Sequence, residues 1–97
     1  MYEIEFTESA KADLKWFRKR EQAEILDAIY MQLRYEPMVR TRNRKPLDEN
    51  ETATWELRVG NARVFYDVDE IVRIVSIQAV GEKRGNRIFF RGKEGKL

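Results

Sequence analysis

The chain has 97 residues, 42% of them hydrophobic and 37% charged, enough for one hydrophobic core but not two, and too apolar for a disordered polyelectrolyte. It has no cysteine and no histidine, which excludes disulfide staples, thiolate zinc sites, Ser–His and Cys–His nucleophiles and imidazole bases. Any catalysis must therefore use Lys, Arg, Glu, Asp, Tyr or the backbone, within one domain spanning residues 1–97.

Tyr2, Ile4 and Phe6 alternate with Glu3 and Glu5, the period of a half-buried strand. Acids stand where a secretory signal would need basic residues, and no run approaches the ~18 consecutive apolar residues of a membrane span, so a cytoplasmic location without membrane association is expected. Thr7 can cap a helix whose stripe is Ala10, Leu14 and Phe17, with Asp13, Lys15 and Arg18 turned outward. A break near Arg20-Glu21 precedes a second stripe of Ile25, Ile29 and Leu33, widened by Leu26 and Tyr30 and ending before Pro37.

Residues 37–54 lack clean periodicity and form either a long loop or a broken strand. Trp55, Leu57 and Val59 then alternate with Glu56 and Arg58, Gly60-Asn61 makes a two-residue turn, and Ala62 to Val68 returns as a partner strand. After a turn at Asp69-Glu70, Ile71 to Val80 is apolar on both faces, as in a central strand. The expected fold is α+β, in the order β-α-α-β-β-β. A two-helix hairpin packs on a mainly antiparallel four-stranded sheet, and a basic tail follows from Gly81.

The net charge of +2 conceals two basic segments. Residues 37–47 hold Arg40, Arg42, Arg44 and Lys45 against no acid, and residues 81–97 hold six cations against Glu82 and Glu94; each segment carries +4, leaving −6 elsewhere. That is the charge signature of polyanion binding. Arg58 and Arg63 flank the Gly60-Asn61 turn and sit close across the ladder, where paired guanidiniums can hold a phosphate. The bland alternative is an exposed hairpin salt-bridged through Glu56 and Asp67. Tyr66 reads as core, and Trp55 as an anchor for the helices. Trp16 reads either as an exposed aromatic patch or as half-buried against the first strand.

Four segments carry a resemblance to the RelE/ParE toxins of bacterial toxin–antitoxin modules. They are FTESAKADL, the KPL triplet at Lys45 to Leu47, WELRVGNARVFYDV, and IVSIQAVGEKRGN. In the RelE branch the resemblance implies a ribosome-dependent endoribonuclease that cuts messenger RNA by attack of a ribose 2′-hydroxyl on the adjacent phosphate, with no metal and no small-molecule cofactor. In the ParE branch it implies inhibition of DNA gyrase. A degenerate toxin that only binds its antitoxin is a third possibility, and a cognate antitoxin, short and acidic or DNA-binding, is implied throughout.

Carried onto this chain, the resemblance makes Arg58, Arg63, Lys83 and Arg84 phosphate-stabilising residues. Glu56 is then the candidate base, since few other groups here can take a proton from a 2′-hydroxyl. Arg40, Arg42, Arg44, Lys45 and Arg87 would contact RNA, and Phe89 would stack on an unpaired base. Phe89 and Phe90 also read as a last strand packed on the sheet edge. The chain departs from the family in having Glu82 where a His or basic residue is frequent, and Phe89-Phe90 near the usual tail Tyr.

Overall fold

The computed structural model describes residues 1–97. Its elements are β1 (Glu3–Phe6), α1 (Glu8–Trp16), α2 (Lys19–Leu33), β2 (Arg44–Pro46), β3 (Trp55–Val59), β4 (Ala62–Asp69), β5 (Ile74–Arg84), β6 (Arg87–Phe90) and β7 (Lys93–Glu94). One sheet runs β2-β3-β4-β5-β6-β7, antiparallel throughout, and β1 joins it parallel to β5. The expected α+β order is present, and three short strands extend it.

Thr7 caps α1, its Oγ1 accepting the Ala10 N–H at 3.0 Å. The helix break falls at Phe17-Arg18, earlier than expected, because Phe17 is buried in extended backbone while the Arg18 N–H donates to Glu21 Oε1 at 3.2 Å and starts α2. Ala10, Leu14 and Phe17 meet Ile25, Ile29 and Leu33 over the sheet residues Leu57, Val64, Tyr66, Val75, Ile77 and Val80. Tyr30 is 44% exposed, off the stripe set by Ile25, Ile29 and Leu33. No helix is long and apolar enough to cross a membrane.

One open alternative is decided and three local expectations are corrected. Residues 37–54 form a broken strand, with β2 pairing Lys45 opposite Glu56. Ile71 and Val72 lie in a turn, because Asp69 Oδ1 accepts their N–H groups at 2.9 and 3.1 Å and Arg73 takes a positive φ of 61°. The segment after Gly81 is no free tail, since β5 continues to Arg84 and turns at Gly85-Asn86 into β6. Asp13 is buried rather than turned outward, its Oδ2 accepting the Val80 N–H at 3.0 Å.

A β-bulge decides which side chains reach which face. Phe65 pairs with Ala79 while Tyr66 pairs with Ile77, so Gln78 is an extra residue in β5. Odd residues Val75 and Ile77 face the helices before it; Val80 does so after it. Ala79, Gly81 and Lys83 are thereby turned to the opposite face.

Candidate functional site

On the face away from the helices, Phe65, Ala53 and Ala79 form a second small apolar cluster, with Leu47, Ile88 and Phe90 packed on it. Gly81 leaves the room this needs: a Cβ there would stand 2.9 Å from Phe90 Cε1 and 3.0 Å from Ile88 Cδ1. Beside this floor runs a groove of about 440 Å³ whose charged lining includes Lys45, Glu56, Arg63, Lys83, Arg87 and Lys96. Leu47, Ile88 and Leu97 supply its apolar wall.

The register brings these groups together. Arg58 and Arg63 are direct cross-strand partners, Arg63 is opposite Gly81, and Glu56 lies between Lys45 and Phe65. Arg58 is exposed and outside the groove, whereas Arg63 is only 7% exposed. Its Nη1 donates to the carbonyls of Gly60 and Ala62 at 2.8 and 2.9 Å. Those bonds hold the guanidinium plane, and its Nε and Nη2 donors make no hydrogen bond within the chain. Burial lowers the Arg63 pKa most, the Arg58 charge lowers it further, and Glu56 opposes both. It stays a cation at neutral pH, a positive charge kept part-desolvated and fixed in direction.

Glu56 is buried, and its Oε2 lies 3.8 Å from Lys45 Nζ. A carboxylate among cations can accept a proton from a hydroxyl while its neighbours hold an adjacent anion. Arg87 lines the groove and pairs loosely with Glu94 at 3.7 Å. No three His, Cys, Asp or Glu side chains converge anywhere in the chain.

Besides Arg58, five expected site residues are placed elsewhere. Arg84 and Phe89 fall on the helix side through the parity change at Gln78. There the Arg84 guanidinium lies 4.6 Å over the Phe89 ring and pairs with Glu82 at 2.8 Å. Arg44, opposite Leu57 on the helix side, donates to the Gln32 carbonyl near the end of α2. Arg40 and Arg42 are exposed in the loop before β2, outside the groove. Phe89 and Phe90 lie in a strand, β6, but not in the last one, since β7 pairs along it. Tyr66 is core, its hydroxyl donating to the Pro37 carbonyl at 2.7 Å. Trp16 is 44% exposed and packs beside Gly92 rather than on β1, with its Cζ2 3.5 Å from where a Cβ there would stand.

Sequence reasoning did not single out Lys96, Glu94 or Asn86, which also line the groove. Lys96 was legible only as one of six cations in the last segment. Asn86 follows Gly85 in a two-residue turn, a visible signal that β6 doubles back toward Lys83.

A chain of the toxin–antitoxin complex RelBE2 from Mycobacterium tuberculosis gives a likeness of fold at TM-score 0.73 and 29% identity, covering 84% of this chain and 98% of that one. The archaeal RelE–RelB complex from Pyrococcus horikoshii matches at TM-score 0.68 and 22% identity over 87% and 96% of the two chains. The YoeB dimer from Staphylococcus aureus matches at 0.56 and 21% over 86% and 97%. No curated protein matches the sequence. The family model for the ParE toxin of type II toxin–antitoxin systems matches residues 4–85. Since that match spans most of the sequence and the fold agrees with it, the chain belongs to the RelE/ParE superfamily of toxins from type II toxin–antitoxin systems.

Proposed function

We propose that this toxin is a metal-independent endoribonuclease acting on messenger RNA at the ribosome. The observation that carries the reading is the groove itself, where buried Glu56 and the fixed guanidinium of Arg63 share one lining with Lys45, Lys83 and Arg87. Glu56 takes the proton from a ribose 2′-hydroxyl as that oxygen bonds to the adjacent phosphorus. Arg63 and Lys83 hold the charge that builds on the phosphoryl oxygens. The bond from phosphorus to the 5′-oxygen breaks, water supplies that oxygen's proton, and a 2′,3′-cyclic phosphate and a 5′-hydroxyl remain. Leu47, Ile88 and Leu97 offer an apolar seat for a base in place of Phe89. Arg40, Arg42 and Arg58, outside the groove, are free to contact ribosomal RNA. The RelBE2 and RelE–RelB complexes support a cognate antitoxin as this chain's partner.

Gyrase inhibition is the second reading, favoured by the family match. That match ends at residue 85, before the segment that brings Arg87 and Lys96 to the groove. The deciding experiment maps RNA ends after toxin is added to a translation reaction. Cuts in the translated message with 2′,3′-cyclic phosphate ends are expected, and 3′-hydroxyl ends would reject the mechanism. Intact message with blocked gyrase supercoiling would put the second reading ahead.

A further inference from the structure

Two strands share one edge of β5. β1 takes Ile74 to Ile77 and β6 takes Glu82 to Arg84, leaving Gln78 to Gly81 without a strand on that side. Helix α1 fills the interval. The Thr7 hydroxyl donates to the Gln78 carbonyl at 3.2 Å, and Asp13 Oδ2 accepts the Val80 N–H. The other Asp13 oxygen, Oδ1, makes no hydrogen bond and has as its ion-pair partner Arg91 Nε at 2.9 Å, and Asp13 is only 2% exposed. An ion pair with one partner so fully dehydrated adds little net stability, because desolvation offsets the attraction.

Arg91 is itself strained. It is the first residue of the two-residue turn joining β6 to β7, with φ 50°, and Gly92 follows at φ 79°. Positive φ at both positions is the type I′ pattern, for which Asn-Gly is favoured and arginine is not. Two unfavourable choices therefore meet in one contact. The hairpin that this contact ties to α1 carries Arg87, Ile88, Glu94, Lys96 and Leu97 into the groove. Trp16, packed beside Gly92, supports the same turn.

We infer that Asp13 and Arg91 are a pair of positioning residues. By fixing the β6–β7 hairpin to α1 they set the separation of Arg87 and Lys96 from Arg63 and Lys83, and so the spacing at which the groove receives successive phosphates of an RNA strand. The inference rests on the RNA reading above and adds to it the residues that set the groove's width.

The test uses the full-length toxin, a short fluorescein-labelled single-stranded RNA for binding, and a translated message for cleavage. Asp13→Asn keeps an acceptor for the Val80 N–H and removes one negative charge. Electrostatics alone would then tighten RNA binding; loss of positioning weakens it and slows cleavage on the order of 10²-fold. Arg91→Asn supplies the favoured Asn-Gly turn but leaves the Asp13 carboxylate buried without its cation, so it is also combined with Asp13→Asn; in the double variant the thermal midpoint holds or rises while cleavage falls by a similar factor. Arg91→Lys, which keeps a cation opposite Asp13, recovers most of the rate. Asp13→Asn binding RNA as tightly as wild type or tighter would overturn the inference, as would Arg91→Asn cleaving at the wild-type rate. A fall in midpoint and rate together in the Asp13→Asn/Arg91→Asn double variant marks a purely structural role and overturns it too. Wild-type toxin that cuts no RNA removes the functional reading and this inference with it, whereas an active wild type with unaffected variants removes the inference alone.

Discussion

Replacing Arg63 by Met keeps most of the buried stem and deletes the guanidinium, so stability and activity should respond by different amounts. Two bonds from Nη1, to the Gly60 and Ala62 carbonyls, are lost. Singly, hydrogen bonds from a charged donor contribute about 1.5–3 kcal/mol. Against that loss, Met relieves the burial penalty and the repulsion from Arg58 that together lower the Arg63 pKa. Gly60 is exposed, so its carbonyl regains water. The net destabilisation is about 1 kcal/mol, or ~4–8 °C in thermal midpoint for a domain of this size. Removing a preorganised donor to developing phosphorane charge costs on the order of 10²–10³ in rate. Arg63→Met should therefore melt slightly below wild type in a calorimetric scan, yet permit growth on induction and leave message uncut. Arg63→Lys should recover only part of the activity, since a point charge lacks the planar fork. Full growth arrest by Arg63→Met would remove Arg63 from the chemistry, and a chain that does not fold would show that the guanidinium is structural.

Tyr66→Phe should cost about 1 kcal/mol at neutral pH by leaving the Pro37 carbonyl unpaired. Burial pushes the Tyr66 pKa above its ordinary value of 10.0, so the fold favours the neutral phenol; its contribution is complete below pH 10 and is lost as pH rises further. Urea titrations should accordingly show the gap between the two proteins closing above pH 10 by up to about 1.4 kcal/mol per pH unit. A gap independent of pH would mean that the hydroxyl is not buried in solution. Gly81→Ala should destabilise by about 1–3 kcal/mol, because the new methyl would meet the Phe89 carbonyl at 3.0 Å as well as the Phe90 and Ile88 side chains. An unchanged melting curve would show that β6 is not seated on β5 at that point.

The main elements were legible because each carries one clean period. Ile25, Ile29 and Leu33 announce α2, and Trp55 to Val68 announces a hairpin whose Arg58–Arg63 register follows from counting outward from Gly60-Asn61. What the pattern hid was the bulge. Gln78 carries no local signal, being a polar residue in a run that reads as continuous, yet it exchanges the faces of everything after it. Lys83 and Arg84 are adjacent in sequence and were read as one phosphate-binding pair; parity sends one to the groove and the other to Phe89. Asp13 was hidden for a different reason. An acid beside Leu14 on an amphipathic helix reads as solvent-facing, and its burial follows only from a gap in the sheet edge 67 residues away, at Val80. The burial of Arg63 was not legible either, because its bonds to the Gly60 and Ala62 carbonyls are not visible from the strand pattern alone.

The parallel pairing of β1 with β5 has a consequence for synthesis. Glu3 finds its partner at Ile74 and Phe6 at Ile77, so the first strand closes a loop of some 71 residues. Contacts this distant are slow to form, since the entropy of closure must be met before the pairing repays it. A ribosome making this protein therefore carries an incomplete sheet until β5 has emerged, and Arg63 waits until then for Lys83. However early Arg63 emerges, the groove lacks one of its walls until β5 has been made and has paired back to the first strand.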